Sequence, residues 1–219
     1  MHKVKKIVEY QLWHVSALIA LLFIINVYLN NTPELLVGSL LGLTTKNWFW
    51  LAITVPILHQ VYVWLVWRLE LYQHSFTKRY SLKLSFKLYA IRFLVLFVSR
   101  LITISILAYS SKDSLPIHPM MGYALVLLIT PLVLYLAYSV KKYFTFERAY
   151  GMDHFDKHYR EPFVKQGIFK YTNNGMYVVG LMVLYLPGLL LLSKAAILVG
   201  LFNHVYIWVH YYCTERPDM

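Results

Sequence analysis

Long apolar runs alternate with short polar segments along this chain. The apolar runs cover residues 12–30, 48–69, 88–110, 120–140, 176–193 and 195–213. Each is close to the roughly 20 residues that an α-helix needs to cross a hydrocarbon core about 30 Å thick. The pattern therefore predicts an all-α polytopic membrane protein with about six transmembrane helices.

The last two apolar runs are separated only by Ser193 and Lys194, a spacing that predicts a C-terminal helical hairpin. The one long polar segment, residues 141–175, comes just before it. Loops held by a rigid scaffold carry much of the chemistry of proteins. We therefore divide the chain into an N-terminal four-helix transmembrane region, residues 1–140, and a loop plus hairpin, residues 141–219, in which we expect the functional site.

Composition and charge agree with a membrane location. Hydrophobic residues make up 59% of the chain and charged residues only 14%, which excludes an ordinary soluble protein. Of the 21 Lys and Arg residues, 17 fall in the two tails and in segments 68–92 and 141–170. Because positively charged loops stay in the cytoplasm, both termini and the 141–175 loop are predicted to be cytoplasmic, in a bacterial inner membrane or endoplasmic reticulum. Anionic lipid at that face explains the net charge of +11 without nucleic acid.

Cysteine content limits the possible chemistry further. Cys213 is the only cysteine, which excludes an internal disulfide and any multi-cysteine metal motif. We predict no metal site.

Two polar segments flank the predicted hairpin. Asn173-Asn174-Gly175-Met176-Tyr177 precedes it, and Thr214-Glu215-Arg216 follows it, at the same predicted membrane edge. The two asparagine side chains carry hydrogen-bond donors and acceptors, although Asn-Asn-Gly is also a common turn before a helix. These segments could together border one polar pocket.

A long loop, Asn-Asn-Gly-Met-Tyr, a hairpin and a terminal acidic residue, in that order, resemble the integral-membrane methyltransferases. This group includes phosphatidylethanolamine N-methyltransferases and isoprenylcysteine carboxyl methyltransferases, and the resemblance covers about residues 147–219. Family members carry Asn-Pro-x-Tyr or His-Pro-x-Tyr and, after the hairpin, a Glu-Glu pair. Here Asn174 takes the first position and Gly175 replaces the proline, while Glu215 takes the second glutamate and Thr214 replaces the first.

The resemblance implies that S-adenosylmethionine binds between the loop and the hairpin. Met176 and Tyr177 match the phospholipid branch, whereas the glycine that follows in the family is shifted by one place to Gly180. The residues expected to contact the cofactor are Tyr171, Asn173, Asn174, Met176, Tyr177, Gly180, Tyr211 and Glu215.

The implied substrate is a phospholipid amine, which is protonated near neutral pH and must lose a proton before it can attack a methyl group. Glu215 is the first candidate for this base, and His154 and His210 are the next. Arg160 and Lys165 are expected to hold the lipid phosphate. Tyr212 is expected to face a cationic group of a ligand through its ring.

Other functions remain compatible with the sequence. Isoprenylcysteine carboxyl methylation would use the same donor with another acceptor. A sterol-type reductase of related architecture would use NADPH, but the chain has no glycine-rich dinucleotide fingerprint. A non-enzymatic scaffold or small transporter would tolerate changes at Asn174, Tyr177 and Glu215.

Polar residues inside the first four apolar runs have no assigned role. His59, Gln60, Arg92 and Arg100 could line a lipid path, and we expect them instead to pair with one another.

Overall fold

Helices dominate the fold. The computed structural model describes residues 2–159 and 161–219. Its helices are α1 (His2–Val8), α2 (Gln11–Asn30), α3 (Thr45–Gln73), α4 (Leu82–Ser110), α5 (Pro119–Ser139), α6 (Phe146–Ala149), α7 (Gly175–Val178), α8 (Leu186–Leu190), α9 (Lys194–His210) and α10 (Arg216–Asp218). The two-residue strands β1 (Ser39–Leu40) and β2 (Leu43–Thr44) pair antiparallel in a small hairpin. The all-α prediction is confirmed.

Shorter helical turns connect or extend these helices. The 3₁₀ turns are Pro33–Leu36, Met152–His154, Gly167–Lys170 and Gly180–Tyr185, and the π turns are Val140–Phe144 and Tyr211–Glu215. The first arm of the C-terminal hairpin therefore changes from α to 3₁₀ and back to α, which differs from the single regular helix that its apolar run predicts.

Four helices in the described part of the chain are long and apolar enough to cross a membrane. They span Lys3–Asn30, Thr45–Gln73, Leu82–Ser110 and Pro119–Phe144. The two hairpin arms are shorter: an apolar helical stretch, Gly175–Leu190, and the 17-residue α9. The chain is thus an integral membrane protein with several spans, and six crossings stay a prediction.

Hydroxyl side chains cap the helices that form the core. Thr44 accepts a hydrogen bond from the Asn47 backbone N–H at the start of α3. Ser81 does the same for Leu84 in α4, and Ser193 for Ala196 in α9. Serine and threonine are favoured N-caps because they satisfy N–H groups that have no partner within the helix.

The central core lies where α3, α4 and α9 meet. Phe49, Ile104, Leu107 and Val199 are completely buried there. Alanines at 52, 195 and 196 are also fully buried, and such small residues allow membrane helices to approach closely. These three helices supply most of the side chains of the site described below.

The two ends of the chain are joined by a group of residues that we call the terminal clasp: Arg68, Asp218 and the backbone of Lys6, Ile7 and Glu9. Arg68 is fully buried in α3, and its Nε donates to the Asp218 carboxylate at 3.0 Å. Its Nη1 donates to the three backbone carbonyls at the end of α1. Its Nη2 donates to the carbonyls of Cys213 and Thr214. The clasp therefore fixes the backbone immediately before Glu215.

Candidate functional site

A hydrogen bond joins the two polar segments that flank the hairpin. The Tyr177 hydroxyl, in α7, donates to the Glu215 carboxylate in the π turn after α9. Tyr177 is held in place because the Asn174 carbonyl accepts its N–H at 3.0 Å and that of Val178 at 2.9 Å. Residues 38 positions apart in sequence thus form one polar pair.

The surroundings of Glu215 change its acidity. Burial raises the pKa of the Glu215 carboxyl above its ordinary value, while the hydrogen bond from Tyr177 and the nearby His154 act in the opposite direction. A carboxylate with a raised pKa is a stronger base than one in open solution. Glu215 is therefore suited to accept a proton from a ligand at a pH closer to neutral.

Aromatic rings line the side of this pair that faces the last helix. The Tyr177 ring lies 5.9 Å from the rings of both Trp208 and Tyr211, in edge-to-face arrangements. The Tyr211 ring is in turn 5.1 Å from Tyr212, which is exposed and lies beneath the Arg216 guanidinium. Such rings can attract a cationic ligand group through their faces.

A second structural element approaches from the loop before the hairpin. The His154 imidazole stacks on the Trp67 indole of α3, with centroids 4.1 Å apart and an interplanar angle of 17°. Gly151 has a positive φ of 79°, and a Cβ at this position would lie 2.6 Å from the Trp67 ring. His154 Nδ1 contacts the Asp153 carboxylate at 3.2 Å. The loop backbone and one imidazole thus cover two sides of the indole.

His210 extends the site into the bundle. It is buried at the end of α9, and its ring centroid is 6.0 Å from that of Trp67. Neither of its ring nitrogens has a hydrogen-bond partner in the described part of the chain. His210 therefore stands within the bundle with two unused polar atoms.

Similar unused polar atoms occur on other buried side chains of the bundle, and we call this set the unpaired cluster. Within residues 2–159 and 161–219, its buried side-chain atoms without a hydrogen-bond partner belong to His59, Tyr62, Trp67, Ser85, Tyr89, Arg100, His154, Asn203 and His210. Ring contacts connect several members: Tyr62 stacks on Tyr89, and the Phe93 ring lies 4.5 Å from His59 and 6.0 Å from Tyr89. Most buried polar groups in folded proteins are hydrogen-bonded. A concentration of exceptions is typical of a ligand site.

The expectation that polar residues of the early helices pair with one another is wrong for His59 and Arg100. Both His59 ring nitrogens, and Nε and Nη2 of Arg100, have no partner among the described residues. Arg92 is exposed. Both side chains are buried in the bundle, and the His59 ring meets the apolar ring of Phe93 at 4.5 Å instead of a polar partner.

The remaining predicted site residues occupy two different environments. Tyr171, Asn173 and Lys165 are exposed, whereas Met176 packs against the apolar cluster around Phe169. A Cβ on Gly180 would lie 3.0 Å from Leu136 of α5. Arg160 lies outside the described residues. The roles predicted for these residues stay predictions.

Helix periodicity could have identified the residues that the sequence reasoning missed. Trp67 lies eight residues after His59, which places both on one face of α3. Tyr89 and Arg100 are eleven residues apart, close to three turns, and share a face of α4. The signal is weak, because an interfacial aromatic belt also contains Trp and Tyr residues near the ends of membrane helices.

Comparison with known protein families bears on this arrangement. Residues 117–219, which include α5, the loop, the hairpin and Glu215, match the family model for phospholipid methyltransferases. This match confirms the family resemblance. Searches of curated proteins and of solved structures gave no match. The family supports a membrane methyltransferase that acts on lipid, and it implies S-adenosylmethionine as the methyl donor.

The polar atoms near Glu215 fit such a donor. A nucleoside with an amino acid side chain carries many hydrogen-bonding groups, and the unpaired atoms of Trp67, Tyr89, His154 and His210 can accept or donate bonds. The Glu215 carboxylate adds a negative charge on the same side of the molecule. The residues present are therefore chemically compatible with the cofactor of the phospholipid methyltransferase family.

Proposed function

We propose that this protein transfers a methyl group from S-adenosylmethionine to the amine of phosphatidylethanolamine at the cytoplasmic edge of the membrane. The observation that carries the proposal is the Tyr177–Glu215 hydrogen bond. It brings together the two family motifs at the open end of the hairpin, inside the segment that matches phospholipid methyltransferases.

Glu215 is the group that we assign to proton removal. A phosphatidylethanolamine ammonium has no lone pair, so its proton must pass to a base before the nitrogen can react. The raised pKa of Glu215 suits it to this transfer. Tyr177 orients the carboxylate, and the aromatic side chains of Trp208 and Tyr211 limit the access of water.

S-adenosylmethionine, when bound, would supply its sulfonium methyl group: an N–C bond to the amine forms as the S–C bond breaks, and S-adenosylhomocysteine leaves. In this proposal the donor is held by His154 and His210 of the loop and hairpin, by Trp67 of α3, and by the predicted contacts at Asn174 and Tyr177. Lys165 and Arg160 would face anionic headgroups, which requires the loop to lie on the cytoplasmic side. The positive charge of that segment supports this orientation.

Calorimetric titration of the detergent-purified protein with S-adenosylmethionine and S-adenosylhomocysteine tests the donor. Wild-type protein is expected to bind both at micromolar concentration, and Glu215→Ala and Asn174→Ala are expected to bind at least tenfold more weakly. Glu147→Ala removes an exposed carboxylate of the same loop and is the matched control, with affinity unchanged. NADPH is the control ligand.

Incubation with labelled donor and phosphatidylethanolamine in mixed micelles then tests the acceptor. Appearance of monomethylated lipid supports the proposal. Donor binding with methylation of an isoprenylcysteine analogue alone would move the proposal to that acceptor. Binding of NADPH instead of either sulfur ligand would favour a reductase, and binding of none of them would favour a non-enzyme.

A further inference from the structure

Arg100 carries a buried charge without a partner. Only 2% of the residue is exposed, and its Nε and Nη2 atoms have no hydrogen-bond partner in the described part of the chain. A guanidinium keeps its proton at physiological pH. Ionisable groups inside membrane bundles usually pair with other groups or mark a path for substrates or ions. Arg100 therefore has binding capacity that the protein itself leaves unused.

The acidic residues of the protein do not fill this capacity. All ten Asp and Glu residues lie in the described part of the chain, and none forms an ion pair with Arg100. The buried carboxylates are engaged elsewhere, since Glu70 accepts from the backbone of Phe76, Asp218 from Arg68 and Glu215 from Tyr177. A negatively charged partner for Arg100 would therefore come from a ligand.

Neighbouring side chains extend the site without neutralising it. His59 in α3 and His210 in α9 are buried on the two helices that pack against α4, and all four of their ring nitrogens lack a partner among the described residues. An imidazole can donate a hydrogen bond to an anionic oxygen from whichever ring nitrogen carries the proton. These two rings can therefore add donors beside the guanidinium.

Position in the bundle distinguishes this site from Glu215. His59 is the middle residue of α3, fourteen positions from either end, which corresponds to about 21 Å along the helix. Arg100 stands ten residues before the end of α4 that is remote from Glu215. The guanidinium and Glu215 thus occupy different depths, and one extended ligand or two adjacent ligands could contact both.

We propose that Arg100 binds an anionic oxygen group of a ligand, a phosphate or a carboxylate, with His59 and His210 as additional donors. The planar fork of arginine matches the two oxygens of either group. The proposal rests on the proposed function for the ligand's identity, because phosphatidylethanolamine carries a phosphate and S-adenosylmethionine a carboxylate. No solvent reaches the two unpaired nitrogens, so the ligand enters by displacing side chains around them.

Two binding measurements on the full chain in detergent separate these sources. S-adenosylhomocysteine is titrated by calorimetry, and dihexanoyl phosphatidylethanolamine is followed by its effect on the thermal unfolding midpoint. Arg100→Met is expected to lower the affinity for at least one ligand by tenfold or more. Arg100→Lys keeps the charge but loses the two parallel N–H donors, and it is expected to lower that affinity less. Arg92→Met, at an exposed position of the same helix, is expected to change neither. If Arg100→Met loses binding of the lipid, the group that Arg100 binds is the phosphate. If it loses binding of S-adenosylhomocysteine, that group is the carboxylate.

Unchanged binding of both ligands by Arg100→Met would overturn the proposal. A large fall in the unfolding midpoint of ligand-free Arg100→Met would also overturn it, because it would mean that the protein itself satisfies the guanidinium. The proposed function fails separately if the wild-type protein binds the lipid but neither sulfur ligand, and the lipid measurement still decides the role of Arg100. Wild-type protein that binds neither ligand would overturn both.

Discussion

Two buried arginines in neighbouring helices differ in how their charge is satisfied. Arg68 donates to the Asp218 carboxylate and to five backbone carbonyls. Arg100 is almost as deeply buried, yet two of its nitrogens have no partner among the described residues. A buried charge is costly unless it is paired and hydrogen-bonded. The first arginine therefore stabilises the fold, and the second maintains a capacity for binding.

The same contrast extends to the regions around the two arginines. In the terminal clasp and beside it, polar side chains are connected: Gln11 bonds to His14 and to the Cys213 carbonyl, and His14 bonds to Tyr206. In the unpaired cluster, His59 and His210 have no such bonds within the described residues. Arg68 binds the carbonyls of Cys213 and Thr214, directly before Glu215. The hydrogen-bonded terminal clasp therefore gives rigid support to the site that contains the unpaired cluster.

Breaking the clasp is expected to have the largest effect on stability. Arg68→Met leaves the Asp218 carboxylate buried without its cation and removes the donors to five carbonyls, so the free energy of unfolding should fall by about 3–5 kcal/mol. Chemical denaturation in detergent micelles measures this change. Arg79→Met, at an exposed position in the segment between α3 and α4, is the control and should change the free energy of unfolding little. If Arg68→Met is no less stable than Arg100→Met, the comparison between the two arginines is wrong.

Adding a methyl group beside Trp67 should lower the stability of the protein by an intermediate amount. Gly151→Ala brings a Cβ to 2.6 Å from the indole, so either the loop or the ring must move. Overpacking of this kind costs about 1–3 kcal/mol. Gly42→Ala is a matched control, because Gly42 has nearly the same φ, +78°, but no atom within 4 Å of the added Cβ. Thermal unfolding of both variants separates the clash from the backbone strain, and equal losses would show that Trp67 does not constrain the loop.

Chain length and hydrophobicity predicted the fold because a membrane helix satisfies its own backbone hydrogen bonds. The long apolar runs that correspond to α3 and α4 are helical throughout. Two departures depend on tertiary contacts that no local pattern contains. Tyr10, with φ 63°, breaks the first helix where Arg68 reaches the carbonyls of α1. The 3₁₀ segment Gly180–Tyr185 lies against α9.

The candidate site was predictable only where a family motif marked it. Glu215 and Tyr177 follow from the motifs around the hairpin, and their hydrogen bond agrees with a common site. Trp67 and Gly151 are 84 residues apart, and their contact follows from the packing of a loop against α3. Arg68 and Arg100 look alike in sequence, as single charges in apolar helices. Only their three-dimensional partners distinguish a structural charge from a candidate binding group.

The smallest of these effects should come from removing the hydroxyl that bonds to Glu215. The Tyr177 hydrogen bond stabilises the charged carboxylate and so lowers the pKa of Glu215 against the effect of burial. In Tyr177→Phe the pKa of Glu215 should therefore rise further, so that more of the carboxyl is protonated at any given pH. Because the proposed base acts only when ionised, the acidic limb of the rate profile should move to higher pH.

The pH dependence of kcat/KM for lipid methylation measures this shift, since it reports the ionisation of the free enzyme. Tyr211→Phe is the control, because the Tyr211 ring contacts Tyr177. Among the described residues, only the Tyr177 hydroxyl donates to Glu215, so this control leaves that hydrogen bond in place. Its midpoint should match that of the wild type even if its rate differs. A Tyr177→Phe profile that keeps the wild-type midpoint would mean that Glu215 is not the titrating base, and His154 and His210 would then be the groups to change. In that case the unpaired cluster, rather than the Tyr177–Glu215 pair, would contain the proton acceptor.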